Sequence, residues 1–122
     1  MILVDTSVWV DHLRSNDPQM DRLLLADEVA MHPFVLGEIA LGYLSPRKTM
    51  LSFLSRVPRA DVAEYDEVAG FVETYQLFGT GLGYVDVHLI ASSALSLCAL
   101  WTRDRRLRAV AERLGIAAKG FK

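Results

Sequence analysis

Ile2-Leu3-Val4-Asp5-Thr6-Ser7-Val8-Trp9 contains a whole strand-to-helix transition. Ile2-Leu3-Val4 is a continuous apolar run with β-branched residues, the pattern of a strand buried on both faces, as in a parallel sheet. Asp5, Thr6 and Ser7 are all good helix caps. Val8, Trp9 and Leu13, set among polar residues, predict a helix directly behind the strand. A carboxylate at the carboxyl end of a buried parallel strand stands where open α/β sheets keep their functional crevice.

The rest of the chain repeats this alternation. Asp17-Pro18 predicts a second helix with Met20, Leu23 and Leu24 on its apolar stripe, and Val29 to Met31 a second strand. Helices are expected over Phe34 to Leu44, Thr49 to Val57 and Tyr65 to Phe78, with a short strand candidate at Ala60 to Ala63. Gly79, Gly81 and Gly83 then break the pattern. They follow a helix and lack the lysine of a phosphate-binding loop, so they read as a flexible turn. A helix from Val85 to Leu97, the strand Cys98 to Trp101, a helix from Asp104 to Leu114 stopped by Gly115, and a short strand at Ile116 to Ala118 complete the series. Such an order predicts one α/β domain over residues 1–122, with a central, mostly parallel sheet of four to five strands.

At 122 residues and 52% hydrophobic content, the chain can bury one core but not two. Its net charge of −2 excludes a generally basic nucleic-acid binder, so any polyanion site must be local. Cys98, the single cysteine, lies in an apolar run and reads as a buried hydrophobe in a reducing compartment. The longest stretch free of Asp, Glu, Lys and Arg, Val87 to Thr102, is shorter than the roughly 20 residues of a membrane span. The first residues lack a basic n-region, so a cytoplasmic protein is expected. His12, His32 and His88 show no ligand spacing and are read as surface or ordinarily hydrogen-bonded groups.

Four carboxylates stand in unusual company. Asp5 follows an apolar strand, Glu38 is the only charge between Pro33 and Leu44, and Asp86 is the only one between Leu77 and Trp101. An ionised carboxylate buried without a partner costs on the order of several kcal/mol, and no lysine or arginine is near in sequence. A divalent cation would resolve the conflict, and oxygen-only ligands favour a hard ion such as Mg²⁺ or Mn²⁺ over zinc. Asp5, Asp86 and Asp104 each begin a predicted helix and could be N-caps, a role compatible with binding metal. Glu38 lies inside its helix with Phe34 and Leu41 as i−4 and i+3 neighbours, so capping does not account for it. Asp104 stands within Arg103-Asp104-Arg105-Arg106-Leu107-Arg108, where arginines beside a metal site could grip phosphates; Arg47 and Lys48 form a second basic pair.

Val4-Asp5-Thr6-Ser7-Val8-Trp9, Glu38, Gly83-Tyr84-Val85-Asp86 and Thr102-Arg103-Asp104 together resemble the PIN-domain ribonucleases, particularly the VapC toxins of toxin–antitoxin pairs. The similarity spans nearly the whole chain. It implies a three-layer α/β/α fold, an acidic quartet of Asp5, Glu38, Asp86 and Asp104, and supporting hydroxyls at Thr6 or Ser7 and at Thr102. It further implies a homodimer, Mg²⁺- or Mn²⁺-dependent hydrolysis of RNA to a 5′-phosphate and a 3′-hydroxyl, and a VapB-type antitoxin docked beside the active site. A non-catalytic PIN-like module binding RNA or protein is the main rival. A phosphotransferase using Asp5 as nucleophile is disfavoured, because Ser7 stands where that chemistry wants a second aspartate.

Overall fold

The computed structural model describes residues 1–122. Its sheet is parallel, in the order β2-β1-β3, built from β1 (Ile2–Val4), β2 (Val29–Ala30) and β3 (Ala99–Trp101). The register pairs Ile2 with Val29 and Ala99, Leu3 with Ala30 and Leu100, and Val4 with Trp101. Leu3 and Val4 point to opposite faces, and both are fully buried. The sheet is therefore covered on both sides, which makes the α/β/α layering a consequence of the apolar strand runs.

Seven helices supply the covers: α1 (Thr6–Ser15), α2 (Pro18–Leu25), α3 (Pro33–Leu41), α4 (Arg47–Arg56), α5 (Tyr65–Thr74), α6 (Tyr84–Ser96) and α7 (Arg105–Arg113). Helix α3 packs against α1 and α4, and α6 lies between α5 and β3. Residues Val87 to Ser93 of α6 are all buried, as expected of a helix apolar around its whole circumference. The core also takes in Trp9, Met20, Leu54, Leu107 and the free Cys98. Burial pushes the Cys98 thiol pKa up, in keeping with a packing role.

The expected fourth and fifth strands are reduced to single bridges. Met31 pairs with Arg59 on one edge and Leu100 with Ala117 on the other, both parallel. Each is closed by two hydrogen bonds: the Met31 and Ala60 N–H groups donate to Pro58 and Met31 carbonyls, and those of Leu100 and Ala118 donate to Ile116 and Leu100. Helix α5 ends at Thr74 rather than Phe78, because the chain turns left-handed at Gln76 to bring Leu77 into the core. Helix α3 ends at Leu41 rather than Leu44, where the chain becomes extended at Gly42. No helix is long and apolar enough to cross a membrane.

Candidate active site

Because β1 and β3 are adjacent and in register to their last residues, Asp5 and Thr102 leave the sheet side by side. The Asp5 N–H donates to the Trp101 carbonyl at 2.9 Å and locks the two strand ends together. Asp5 is only 7% exposed, so its carboxylate needs donors. Thr102 Oγ1 donates to Asp5 Oδ2 at 2.7 Å, and Ser7 Oγ donates to the same oxygen at 2.8 Å. These hydroxyls are held in turn: Ser7 Oγ accepts from the Arg103 N–H and Thr102 Oγ1 from the Asp104 N–H, both at 3.0 Å.

The other three acids arrive from separate segments. Asp104 is the N-cap of α7, its Oδ1 accepting from the Leu107 N–H at 3.0 Å. Asp86, in the first turn of α6, reaches back so that Oδ2 accepts from the Gly83 N–H at 3.0 Å. Glu38 on α3 is tied to α1, its Oε1 accepting from Thr6 Oγ1 at 2.7 Å. Each carboxylate thus has one oxygen held by the protein, while Asp5 Oδ1, Glu38 Oε2, Asp86 Oδ1 and Asp104 Oδ2 accept no hydrogen bond.

The four acids share one electrostatic environment. The Asp86 pKa is raised by burial, opposed by the Gly83 N–H, and raised further by the charges of Asp5, Asp104 and Glu38. One acid feels the other three, as carboxylates around a single cleft must. The donor set is all oxygen and suits a hard divalent cation. Yet no three carboxylates, imidazoles or thiols stand in an arrangement that grips an ion as they are.

Two expectations about surroundings are corrected. Glu38 is exposed, because its apolar neighbours Phe34 and Leu41 are themselves 40% and 89% exposed. It forms the rim of the cleft, not its floor. Of the two readings given to the histidines, surface or ordinarily hydrogen-bonded, the first fails for His32 and His88, which are buried, with Phe34 and Tyr84 edge-on to the His88 ring. His32 Nδ1 caps α3 by accepting from the Phe34 N–H at 2.9 Å, while His32 Nε2 and His88 Nδ1 have no partner. Burial, then the charge of His88, lowers the His32 pKa to about 4.

The arginines separate into committed and free. Arg103 turns away from the acids: its Nη1 donates to Asp11 at 2.7 Å, its Nη2 to Asp17 and its Nε to the Lys122 carbonyl. Asp17 is the helix cap that Asp17-Pro18 predicts, but the pairing of Asp11 and Asp17 with Arg103 was not expected; Asp11's signal was its helical i+4 spacing from Ser7. Hydrogen bonding from Arg103 lowers the Asp11 pKa, and at Asp17 the same contact and two backbone N–H groups outweigh burial to lower it too. Arg47 closes the end of α3, donating to the Ala40 carbonyl at 2.8 Å. Arg105, Arg106 and Lys48 are exposed and make no ion pair. Arg106 lies on Gly81, where an added Cβ would stand 2.9 Å from a guanidinium nitrogen. Next to Glu38, a cavity of about 340 Å³ is lined by apolar residues of α1, α3 and α4, including Val10, Leu13, Ile39 and Met50, and by Arg14.

Residues 2–113 match the PIN domain family. The chain is 46% identical over 118 residues to proteins named Ribonuclease VapC32 from two strains of Mycobacterium tuberculosis, CDC 1551 / Oshkosh and H37Rv, covering 96% of this chain and 95% of each relative. Among solved structures, FitAcB from Neisseria gonorrhoeae superposes with a TM-score of 0.65 at 21% identity, covering 92% of this chain and 94% of that one. PAE2754 from Pyrobaculum aerophilum superposes at 0.61 with 20% identity, covering 93% and 85%. Both share the fold.

Proposed function

This chain belongs to the PIN-domain family, and from that premise we propose that it is a metal-dependent endoribonuclease, the toxin of a VapC-type toxin–antitoxin pair. The observation that carries the reading is the set of free oxygens. Four carboxylates, each anchored through one oxygen, leave Asp5 Oδ1, Glu38 Oε2, Asp86 Oδ1 and Asp104 Oδ2 without a partner. A module that used its acids only as helix caps would not need Glu38, which caps nothing, nor two hydroxyls on Asp5, which makes no side-chain cap at all.

Asp5, Asp86 and Asp104 would hold Mg²⁺ or Mn²⁺, with Glu38 closing the outer side. The ion, when bound, makes water a competent nucleophile near neutral pH and neutralises charge on the phosphate. The residues of the chain supply the rest. Ser7 and Thr102 fix the Asp5 rotamer and hold its Oδ2, which leaves Oδ1 as the ligand. Thr6 does the same for Glu38. Four acids repel an RNA backbone wherever no cation intervenes, so binding needs cationic side chains at the edge. Arg106, seated on Gly81 between the segments that carry Asp104 and Asp86, is the best placed of these, with Arg105 and Lys48 as exposed companions. Hydrolysis leaves a 5′-phosphate and a 3′-hydroxyl without a covalent enzyme intermediate. The apolar cavity beside Glu38 supports an antitoxin segment docked against α1, α3 and α4, near enough to obstruct the cleft. The family also favours a homodimer.

The test is cleavage of total RNA by purified protein after exhaustive chelation. Readdition of Mg²⁺ or Mn²⁺ is expected to restore cleavage and to leave 5′-phosphate ends. Cleavage that persists in excess EDTA, or ends carrying a 2′,3′-cyclic phosphate, would overturn the reading.

A further inference from the structure

Arg103 sits in sequence between two residues of the site and yet points away from it. Thr102 and Asp104 face the acids, while the Arg103 side chain runs the other way and joins three distant segments. Its Nη1 donates to Asp11 on α1 at 2.7 Å, its Nη2 donates to Asp17 at the head of α2, and its Nε donates to the Lys122 carbonyl at 2.9 Å. The guanidinium carbon stands 5.4 Å from the centre of the Trp101 ring, and Phe121 packs on that ring at 4.7 Å between centroids. All three side-chain nitrogens are therefore engaged, and the side chain is 25% exposed.

The partners give this arrangement a direction. Asp11 lies one helical turn beyond Ser7 on α1, and Ser7 accepts from the Arg103 N–H at 3.0 Å. Arg103 thus holds α1 at two points, through its backbone next to Asp5 and through its guanidinium a turn away. Asp17 is itself fixed, its Oδ1 accepting from the Gln19 and Met20 N–H groups at 2.8 Å and 3.3 Å. We infer that Arg103 is a positioning residue: its guanidinium clamps the Thr102–Asp104 turn to α1 and α2 and so sets the placement of Asp104 relative to Asp5, instead of gripping the phosphate. The inference rests on the ribonuclease reading and gives one member of the arginine run a different task within it.

Arg103→Lys tests the clamp, because a lysine keeps the charge but cannot reach two carboxylates and a carbonyl at once in one plane. Groups that orient metal ligands are typically worth about 10–100-fold. The variant is expected to lose about tenfold in kcat with KM unchanged within about twofold. The Mn²⁺ concentration for half-maximal activation is expected to rise, and calorimetry without RNA to report weaker Mn²⁺ binding. The triple variant Asp11→Asn, Asp17→Asn, Arg103→Met removes all three charges together; it guards against misfolding of the single variant and is expected to show the same kcat loss. A folded Arg103→Lys with wild-type kcat and Mn²⁺ affinity overturns the clamp while leaving the ribonuclease reading intact. A loss confined to KM, with a flatter salt dependence, also overturns it and makes Arg103 a phosphate contact. Wild-type protein without metal-dependent RNA cleavage overturns the reading itself, and the clamp with it.

Discussion

Replacing Asp5 by Asn changes one atom and tests the whole cleft. The amide oxygen can take the place of Oδ2 and still accept from Thr102 Oγ1 and Ser7 Oγ, now 2.7 Å and 2.8 Å from the carboxylate. The NH₂ group then occupies the position of Oδ1, the oxygen proposed as the metal ligand. A donor replaces an acceptor and a charge is lost. Asp5 is 7% exposed and held by two hydroxyls, so it has neither solvent nor a spare rotamer to compensate. Removing a group that merely orients a ligand, as in Thr102→Val, typically costs about 10–100-fold. Loss of the ligand must exceed that, so at least about 1000-fold is expected for Asp5→Asn, or about 4 kcal/mol of transition-state stabilisation.

Stability should move the other way. Asp5 is one of three acids whose charge raises the Asp86 pKa, so the metal-free fold carries mutual repulsion among its carboxylates. Removing one charge is expected to leave the metal-free melting temperature unchanged or higher. In the same variant the Asp86 carboxyl should titrate at lower pH. Two assays read these effects independently: cleavage of RNA in Mn²⁺, and carboxyl-carbon NMR titration of Asp86. An active Asp5→Asn would remove Asp5 from the metal site. An Asp86 titration that does not shift would refute the convergence of the acids, whatever the activity.

His32 supplies a prediction about pH and stability. Its pKa falls from 6.5 to about 4 on folding, so the unfolded chain binds the extra proton first. The stabilisation is fully present above 6.5 and is lost as pH falls through the folded value, with a swing of at most about 3 kcal/mol. His32→Asn keeps an acceptor for the Phe34 N–H and removes the titration, so urea unfolding at pH 7 and at pH 4.5 should differ less than in the wild type; an equal difference would acquit His32. For Arg106→Ala, RNA binding should weaken and the log–log salt slope should shrink by about 0.7 if one phosphate contact to a single strand is lost. An unchanged slope would leave that guanidinium outside the substrate path.

The central strands and Asp5 and Asp104 were legible because their signals are local. Ile2-Leu3-Val4 and Ala99-Leu100-Trp101 are short apolar runs, and an acid directly behind, or shortly after, a buried strand has few places to go. What was not legible was non-local. Nothing near Arg103 in sequence announces Asp11 and Asp17, which lie 92 and 86 residues away, so an arginine among arginines read as a phosphate contact. The outer strands failed for a related reason. Their single bridges depend on where Met31 and Leu100 happen to present free backbone groups, not on the β-propensity of Ala60 to Ala63 or Ile116 to Ala118.

Glu38 is the most instructive case, since the residue was singled out on a premise that does not hold. Its apolar neighbours suggested burial, yet Phe34 and Leu41 are exposed and Glu38 stands at the rim. Capping and metal binding are compatible roles for an aspartate at a helix start. A carboxylate has two oxygens, and a cap occupies one. Asp104 caps α7 through Oδ1 with Oδ2 free, and Asp86 holds the Gly83 N–H through Oδ2 with Oδ1 free. The cap supplies the fixed orientation that a ligand needs, and the positive end of the helix favours the ionised form. A helix start at a strand end can thus pin a carboxylate and still leave it able to bind. Glu38, inside a helix where no backbone N–H is spare, requires the Thr6 hydroxyl for the same purpose.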